Sequence, residues 1–310
     1  MTYDLIIIGG GPAGVSAGVY SARKKLTTLV LTPDFGGQSA VSPDIHNWIG
    51  TKSISGTDLA KSLENHLRAY EGPDCVIQTG QAGRVVGLDK SDNIFVVKTE
   101  DGQSTEGKAV LITAGSIRRK LAVPGASEYD QKGLTYCATC DGPLFAAQDV
   151  VVIGGGNAGF ESAAQLLSYC KSVTLLHKNA DFKADKITVD KVLANPKMTG
   201  ILNTEIVEVK GDKFVTGLVY KDKISGEIKE LPVTGIFVEI GFMPNTAFAK
   251  DILATNDFGA IKIDARNQRA TTDGIWAAGD CTDALYHQNN IAAGDAVKAV
   301  EDAYRWLHLK

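Results

Sequence analysis

Apolar positions fall in short runs punctuated by glycine. Asp4–Ile8 is almost wholly apolar, the pattern of a strand buried on both faces. A glycine-rich turn, Gly9 to Gly14, follows at once. Pro12 to Lys25 then reads as a helix and Thr27–Leu31 as a second strand. The same order returns later: strand Asp149–Ile153, turn Gly154–Gly159, helix Gly159–Cys170 and strand Ser172–Leu176. Each is a βαβ unit, which requires parallel strands joined by a crossover helix. Between the two units lie β-rich stretches at Val76–Leu88, Ile94–Thr99 and Lys108–Thr113. After the second come Ile201–Lys210, Phe214–Lys221 and Gly235–Ile240. A short strand, Gly274–Ala278, precedes a long helical stretch of roughly Ile291–His308. The pattern predicts an α/β protein with two Rossmann-like, three-layer dinucleotide-binding domains. The duplicated unit is the only internal similarity.

Composition narrows the class. A chain of 310 residues fits two domains at roughly 100–200 residues each. Hydrophobic residues make up 44% and charged residues 22%, with a net charge of −4. No basic block stands out, so neither nucleic acid nor an anionic membrane is an expected partner. Leu5–Ile8 follows the N-terminus without a cationic stretch and is too short for a signal core. No apolar run approaches the roughly 20 residues of a membrane span. The expectation is a soluble, cytoplasmic protein.

The two glycine turns carry the first chemistry. In Gly9-x-Gly11-x-x-Gly14, the first glycine permits the tight turn and the second lets backbone approach a pyrophosphate. The third allows close packing of helix on strand. The helix N-terminus then offers free N–H groups to the phosphates. Gly154-x-Gly156-x-x-Gly159 repeats this in the same strand–turn–helix context. Two such turns in one chain imply two dinucleotides, most simply a flavin and a nicotinamide. The second strand of each unit ordinarily ends at a ribose-binding acid. In the first unit that acid is missing or displaced to Asp34. In the second the chain continues His177-Lys178, with Lys183 further on. Basic residues there favour the 2′-phosphate of NADP; the alternative is a solvated basic loop.

Five cysteines are present, and only Cys137 and Cys140 are close in sequence. Such a pair can close a small disulphide ring and exchange with another disulphide through a mixed intermediate. A metal site needs further ligands. There is no second Cys-x-x-Cys, and the histidines show no ligand spacing, so no metal is expected. Asp141 follows the pair, either as a proton donor to a leaving thiolate or as a turn or capping residue. Cys75, Cys170 and Cys281 read as small buried residues.

The order of motifs is more specific than any one of them. Gly9-Gly-Gly-Pro-Ala-Gly14, Gly36-Gly-Gln38, Thr113-Ala-Gly115, Cys137-Ala-Thr-Cys140-Asp141 and the second glycine turn come first. Gly241-Phe-Met-Pro-Asn-Thr246 and Ala277-Ala-Gly-Asp-Cys281 complete the series. The whole chain resembles low-molecular-weight thioredoxin reductases, and equally the flavoprotein reductase of the alkyl hydroperoxide system without its N-terminal redoxin domains. Cys-Ala-Thr-Cys is similar to the former; Asp141-Gly-Pro-Leu-Phe145 and Tyr220-Lys-Asp222 are similar to the latter.

The resemblance implies a discontinuous FAD domain, 1–116 and 245–310, with the NAD(P)H domain, 117–244, inserted and carrying the redox pair. It implies FAD contacts at Gly9, Gly11, Pro12, Ala13, Gly14, Gly37, Gln38, Asn47, Thr113, Gly279, Asp280 and Gln288. It places the nicotinamide nucleotide on Gly154, Gly156, Asn157, Ala158, Gly159, His177, Lys178 and Lys183. Cys140 would face the flavin, Cys137 would attack the partner, and Asp141 would donate the proton. The implied working form is a homodimer whose nicotinamide domain rotates. The implied partner is a separate thioredoxin- or glutaredoxin-like protein. One departure concerns the electron donor. Thioredoxin reductases often carry His-Arg-Arg-x-x-x-Arg at the phosphate site, where this chain has His177-Lys178-Asn179-Ala180-Asp181-Phe182-Lys183. Lysine lacks arginine's bidentate fork, which weakens the case for phosphate selectivity; NADPH stays favoured by the basic residues, with weak or dual NADH use open. A ferredoxin-fed or NADH-fed reductase of a peroxiredoxin pathway, and a flavin redox sensor without turnover, are the competing readings.

Overall fold

The computed structural model describes residues 1–42 and 44–309. The chain divides into two compact units: 1–117 with 243–310, and 118–242. Lys310, at the end of the first range, lies outside the described residues.

The first unit is built on a parallel layer. Its strands run in the order Ile275–Ala277, Ser104–Ile112, Thr2–Ile8, Thr28–Leu31 and Cys75–Gln78. Leu5 to Ile8 pair in register with Thr28 to Leu31 on one side and Ala109 to Ile112 on the other. These strands read as unbroken apolar runs because both faces are covered. Leu5, Ile7 and Leu111 pack under Pro12–Arg23, Gly56–Arg68 and Asn289–His308. The alternate residues Ile6, Ile8, Val110 and Ile112 pack with Phe95, Val97 and Leu253 on the other face. Neighbouring strands therefore end together, and Gly9, Thr32 and Thr113 leave the sheet along one carboxyl edge.

The second unit repeats the plan. Its parallel sheet runs Met198–Ile201, Ser172–Leu176, Asp149–Ile153, Gly235–Val238 and Leu134–Thr135. Helices Asn157–Leu166 and Lys186–Leu193 cover one face. The antiparallel sheet Thr204–Gly211, Val215–Asp222 and Ile228–Leu231 covers the other. The α/β class and the two Rossmann-like layers expected from the sequence are present.

Two expected stretches divide. Val76–Leu88 is two strands, Cys75–Gln78 and Val85–Ser91, separated by a turn at Gly80, whose φ is +64°. Ile201–Lys210 breaks at Asn203, which takes the left-handed conformation at φ 55° and leaves strands Met198–Ile201 and Thr204–Gly211. Among the described residues, no helix is long and apolar enough to cross a membrane.

Candidate active site

In the first unit the three glycines act by different steric rules. Gly9 has φ +123°, and a Cβ there would stand 2.2 Å from the Thr113 carbonyl oxygen. A Cβ on Gly14 would stand 1.8 Å from the Gly9 carbonyl oxygen, so helix and turn touch backbone to backbone. Gly11 differs: a Cβ there meets nothing within 4 Å. Packing within the chain does not require that glycine, and it faces open space. The space is a cavity of about 550 Å³, lined in part by Gly9, Gly11, Pro12, Ala13 and Thr113. Gly37, Gln38, Gly279 and Asp280 also line it; Gly14 lies beneath. Gly11 is the N-cap of Pro12–Arg23 and supplies no side-chain cap, so no capping side chain occupies the helix N-terminus where Pro12 and Ala13 line the cavity. These residues fit a dinucleotide: a pyrophosphate can approach Gly11 where a side chain would obstruct it.

Asn47 and Gln288 line an adjoining cavity of about 560 Å³, which shares Gln38 and Asp280 with the first. Asn47 Nδ2 donates to Gln288 Oε1 at 3.1 Å, and Asn290 Nδ2 donates to the Asn47 carbonyl at 2.6 Å. Gln38 Nε2 donates to Ser116 Oγ and lies 3.4 Å from Asp280 Oδ2. Residues far apart in sequence thus share one amide-rich wall. Asp34 also lines the first cavity, and the buried Thr32 hydroxyl donates to its backbone carbonyl.

The second unit repeats the turn in detail. Gly154 has φ +125° and would place a Cβ 2.0 Å from the Glu239 carbonyl oxygen. A Cβ on Gly159 would stand 1.8 Å from the Gly154 carbonyl oxygen, while one on Gly156 meets nothing within 4 Å. Asn157 and Ala158 open the helix, and Asn157 Oδ1 accepts from the Asp185 N–H at 2.8 Å. Lys178 and Lys183 are exposed beyond the end of strand Ser172–Leu176, with no acid at that strand end. Lys223 Nζ donates to the Lys178 carbonyl at 3.0 Å. His177 is turned inward, 7% exposed, and its Nδ1 accepts from the Gly155 N–H at 3.1 Å. Burial, with Lys183 nearby, holds its pKa below the usual 6.5. Its imidazole therefore shapes the glycine turn, and the two lysines are the groups that face outward.

Cys137 and Cys140 form a disulphide with Cα atoms 5.3 Å apart. Strand Leu134–Thr135 pairs with Ile236 and Phe237, which in turn pair with Val151 and Val152. The cysteine segment therefore leaves the sheet at the same carboxyl edge as the Gly154 turn. Cys137 caps the turn Ala138–Asp141, and its Sγ accepts from the Cys140 N–H at 3.1 Å. Cys140 is exposed, and Cys137 is half-buried. The Asp141 carboxylate accepts from the Thr135 hydroxyl, and Thr135 Oγ1 accepts from the Cys137 N–H at 3.3 Å. Sequence reasoning missed Thr135; a hydroxyl two residues before the pair carries no motif signal. The other cysteines are buried, and burial pushes Cys170 up to about 11 and Cys281 up to about 12.

Two glycine turns and a surface disulphide, each at the carboxyl edge of a parallel sheet, define a nucleotide-dependent disulphide oxidoreductase. Over residues 3–303 the chain matches the pyridine nucleotide-disulphide oxidoreductase family, and it belongs to that family. It is 39% identical over 306 residues to the F component of the alkyl hydroperoxide reductase of Escherichia coli, covering 98% of this chain and 58% of that protein. It is 38% identical over 305 residues to a Bacillus subtilis protein named NADH dehydrogenase, again covering 98% and 58%. The chain thus spans little more than half the length of these relatives. A solved thioredoxin reductase of Lactococcus lactis superposes with a TM-score of 0.87 at 33% identity, covering 100% of both chains.

Proposed function

We propose that the chain is a flavin-dependent disulphide reductase of thioredoxin reductase type. It takes electrons from NADPH and delivers them through FAD and the Cys137–Cys140 disulphide to a thioredoxin- or glutaredoxin-like protein. The carrying observation is that disulphide, placed on the same sheet edge as the second glycine turn. In this reading the first unit, with its cavity at Gly11, binds FAD, and the second binds the nicotinamide nucleotide. Bound FAD would supply the two-electron chemistry that couples hydride donation by a nicotinamide to reduction of a disulphide. The net reaction converts NADPH, a proton and a partner disulphide into NADP⁺ and a dithiol.

The protein's own residues divide the work. Gly11 and Gly156 admit pyrophosphates, and the first-turn N–H groups of the two helices bind them. Gln38, Asn47, Asp280 and Gln288 orient the flavin. Reduction of the disulphide frees Cys137 to attack the partner, and Cys140 resolves the mixed disulphide. Asp141, oriented by Thr135, relays a proton to the leaving thiolate.

Lys178 and Lys183 support NADPH, because the strand end before them presents cations and no acid. NADH is the second reading. It is favoured by the inward His177, by the absence of an arginine fork, and by the relative named NADH dehydrogenase. A cytoplasmic homodimer is the proposed working form, with light scattering as its check.

Anaerobic titration of the purified protein tests the scheme. The protein should be yellow, NADPH should bleach the flavin band promptly, and a redoxin with a disulphide dye should turn over. Cys140→Ser should abolish that turnover. A colourless protein that cannot take up flavin, or turnover that survives the substitution, refutes the proposal.

A further inference from the structure

The strand that delivers the cysteine pair stops at Thr135. The next carbonyl, that of Tyr136, lies one peptide before Cys137 and accepts from Arg118 Nη1. The same guanidinium nitrogen contacts both Glu239 carboxylate oxygens, at 3.2 and 3.3 Å. Arg118 is 30% exposed at its side chain and Glu239 only 8%. Ser162 Oγ, on the helix after the second glycine turn, donates to Glu239 Oε1 at 2.8 Å. The Phe242 ring lies 5.5 Å from the guanidinium carbon. The single Nη1 thus joins the carbonyl and the carboxylate, which its two hydrogens allow.

The Tyr136–Cys137 peptide is therefore held from both sides. Its carbonyl is held by Arg118, and its N–H by Thr135, itself tied to Asp141. The Tyr136 ring is fixed as well: its hydroxyl accepts from the Leu121 N–H at 3.2 Å, and Lys120 Nζ lies 4.1 Å from the ring centre. None of the reductase chemistry needs the Arg118–Glu239 pair at that spot. A partly buried ion pair is costly to desolvate, so its placement against the redox peptide calls for an account.

We propose that Arg118 is a positioning residue for the dithiol: it orients the Tyr136–Cys137 peptide and biases reduced Cys137 toward its thiolate, while Glu239 sets how much of that charge is felt. The proposal rests on the reductase reading, since only a working dithiol makes the bias useful. A thiolate is the attacking form in disulphide exchange, and a nearby cation favours it. The charged groups around the peptide are Arg118, Glu239 and Asp141, with Lys120 paired to Asp130 at 2.6 Å. Glu161 also acts on Glu239, whose pKa is raised chiefly by burial. Glu239 thus sits where losing its charge changes Arg118's influence without emptying the space.

The test uses flavin-loaded protein reduced with dithiothreitol, with no nucleotide or redoxin present. Iodoacetamide alkylation of Cys137 is followed against pH by mass spectrometry, which separates it from Cys140. Arg118→Met should move the profile upward by about half to one pH unit, and Arg118→Lys should recover at least half of that shift. Glu239→Gln keeps the shape and the Ser162 contact and should move the profile downward. Profiles that coincide with wild type, or that move the same way in the Met and Gln variants, overturn the proposal. If Arg118→Met does not fold, Glu239→Gln decides alone: a downward shift supports it, and no shift or an upward one overturns it. This outcome is independent of the reductase reading, whose failure would show as a flavin that nicotinamide nucleotides do not bleach.

Discussion

Gly11 and Gly14 share a motif and answer to different forces. Gly14 is demanded by the protein, because a Cβ there would lie 1.8 Å from the Gly9 carbonyl oxygen. Gly11 is not demanded by the protein's own packing, because a Cβ there meets nothing within 4 Å; in the proposed reading, the approach of a pyrophosphate requires it. Gly14→Ala should therefore destabilise the flavin-free protein by about 1–3 kcal/mol. Gly11→Ala should leave its thermal midpoint within about a degree or two of wild type while bound flavin falls roughly tenfold or more. Differential scanning calorimetry of apoprotein and the absorbance of dialysed holoprotein separate the two. Equal destabilisation by both would show that Gly11 serves packing after all. The motif points to all three glycines at once, and only their neighbours separate the reasons. His177 gives the complementary lesson. In sequence it heads a basic segment; in the fold it is buried and shapes the turn through Gly155.

Among the elements, the legible ones are those buried on both faces or punctuated by glycine. Strands Ile94–Thr99, Asp149–Ile153 and Ser172–Leu176 fall where the apolar runs put them. The helix Gly56–Arg68 escapes such a reading, although its signals are local. Its buried Leu59, Leu63 and Leu67 recur at helical spacing. Ser55 caps it, with Oγ accepting from the Asp58 N–H at 3.1 Å and donating to the Asp58 carboxylate at 2.7 Å. Its polar residues outnumber its apolar ones, so a search for apolar runs passes over it. Ser55→Ala should cost about 1 kcal/mol, read as a lower urea midpoint with unchanged slope; an unchanged midpoint would mean the cap contributes nothing. The strands Leu134–Thr135 and Ile228–Leu231 are beyond reach for another reason. Two residues carry no period, and Ile228–Leu231, reading Ile-Lys-Glu-Leu, sets two charged residues side by side and so lacks the period-two alternation of a half-buried strand.

At the scale of the molecule, two cores rather than one account for the organisation. Among the described residues, the buried clusters of residues 118–242 contain no side chain from outside that range. The clusters of the other unit draw on both ends of the chain, bringing Leu5 and Leu111 together with Ala296 and Val300. An excised 118–242 segment should therefore fold by itself and melt in one cooperative transition by circular dichroism, with the Cys137–Cys140 pair still able to oxidise. Residues 1–117 alone should not fold, because Ile275–Ala277 and Asn289–His308 would be missing from their sheet and core. A segment 118–242 without cooperative melting would contradict the two-core description.

Short-range patterns alone determined the α/β class, both glycine turns, the cysteine pair and most of the buried strands. Their causes lie within a few residues: apolar runs need cover on both faces, and tight turns need glycine. Tertiary structure alone decided which glycines face open space, that His177 turns inward, and that Asn47 meets Gln288. It also decided that Arg118 and Glu239 meet beside Cys137. Those outcomes depend on which strand ends coincide at a sheet edge, a property of register between distant segments that no local pattern encodes.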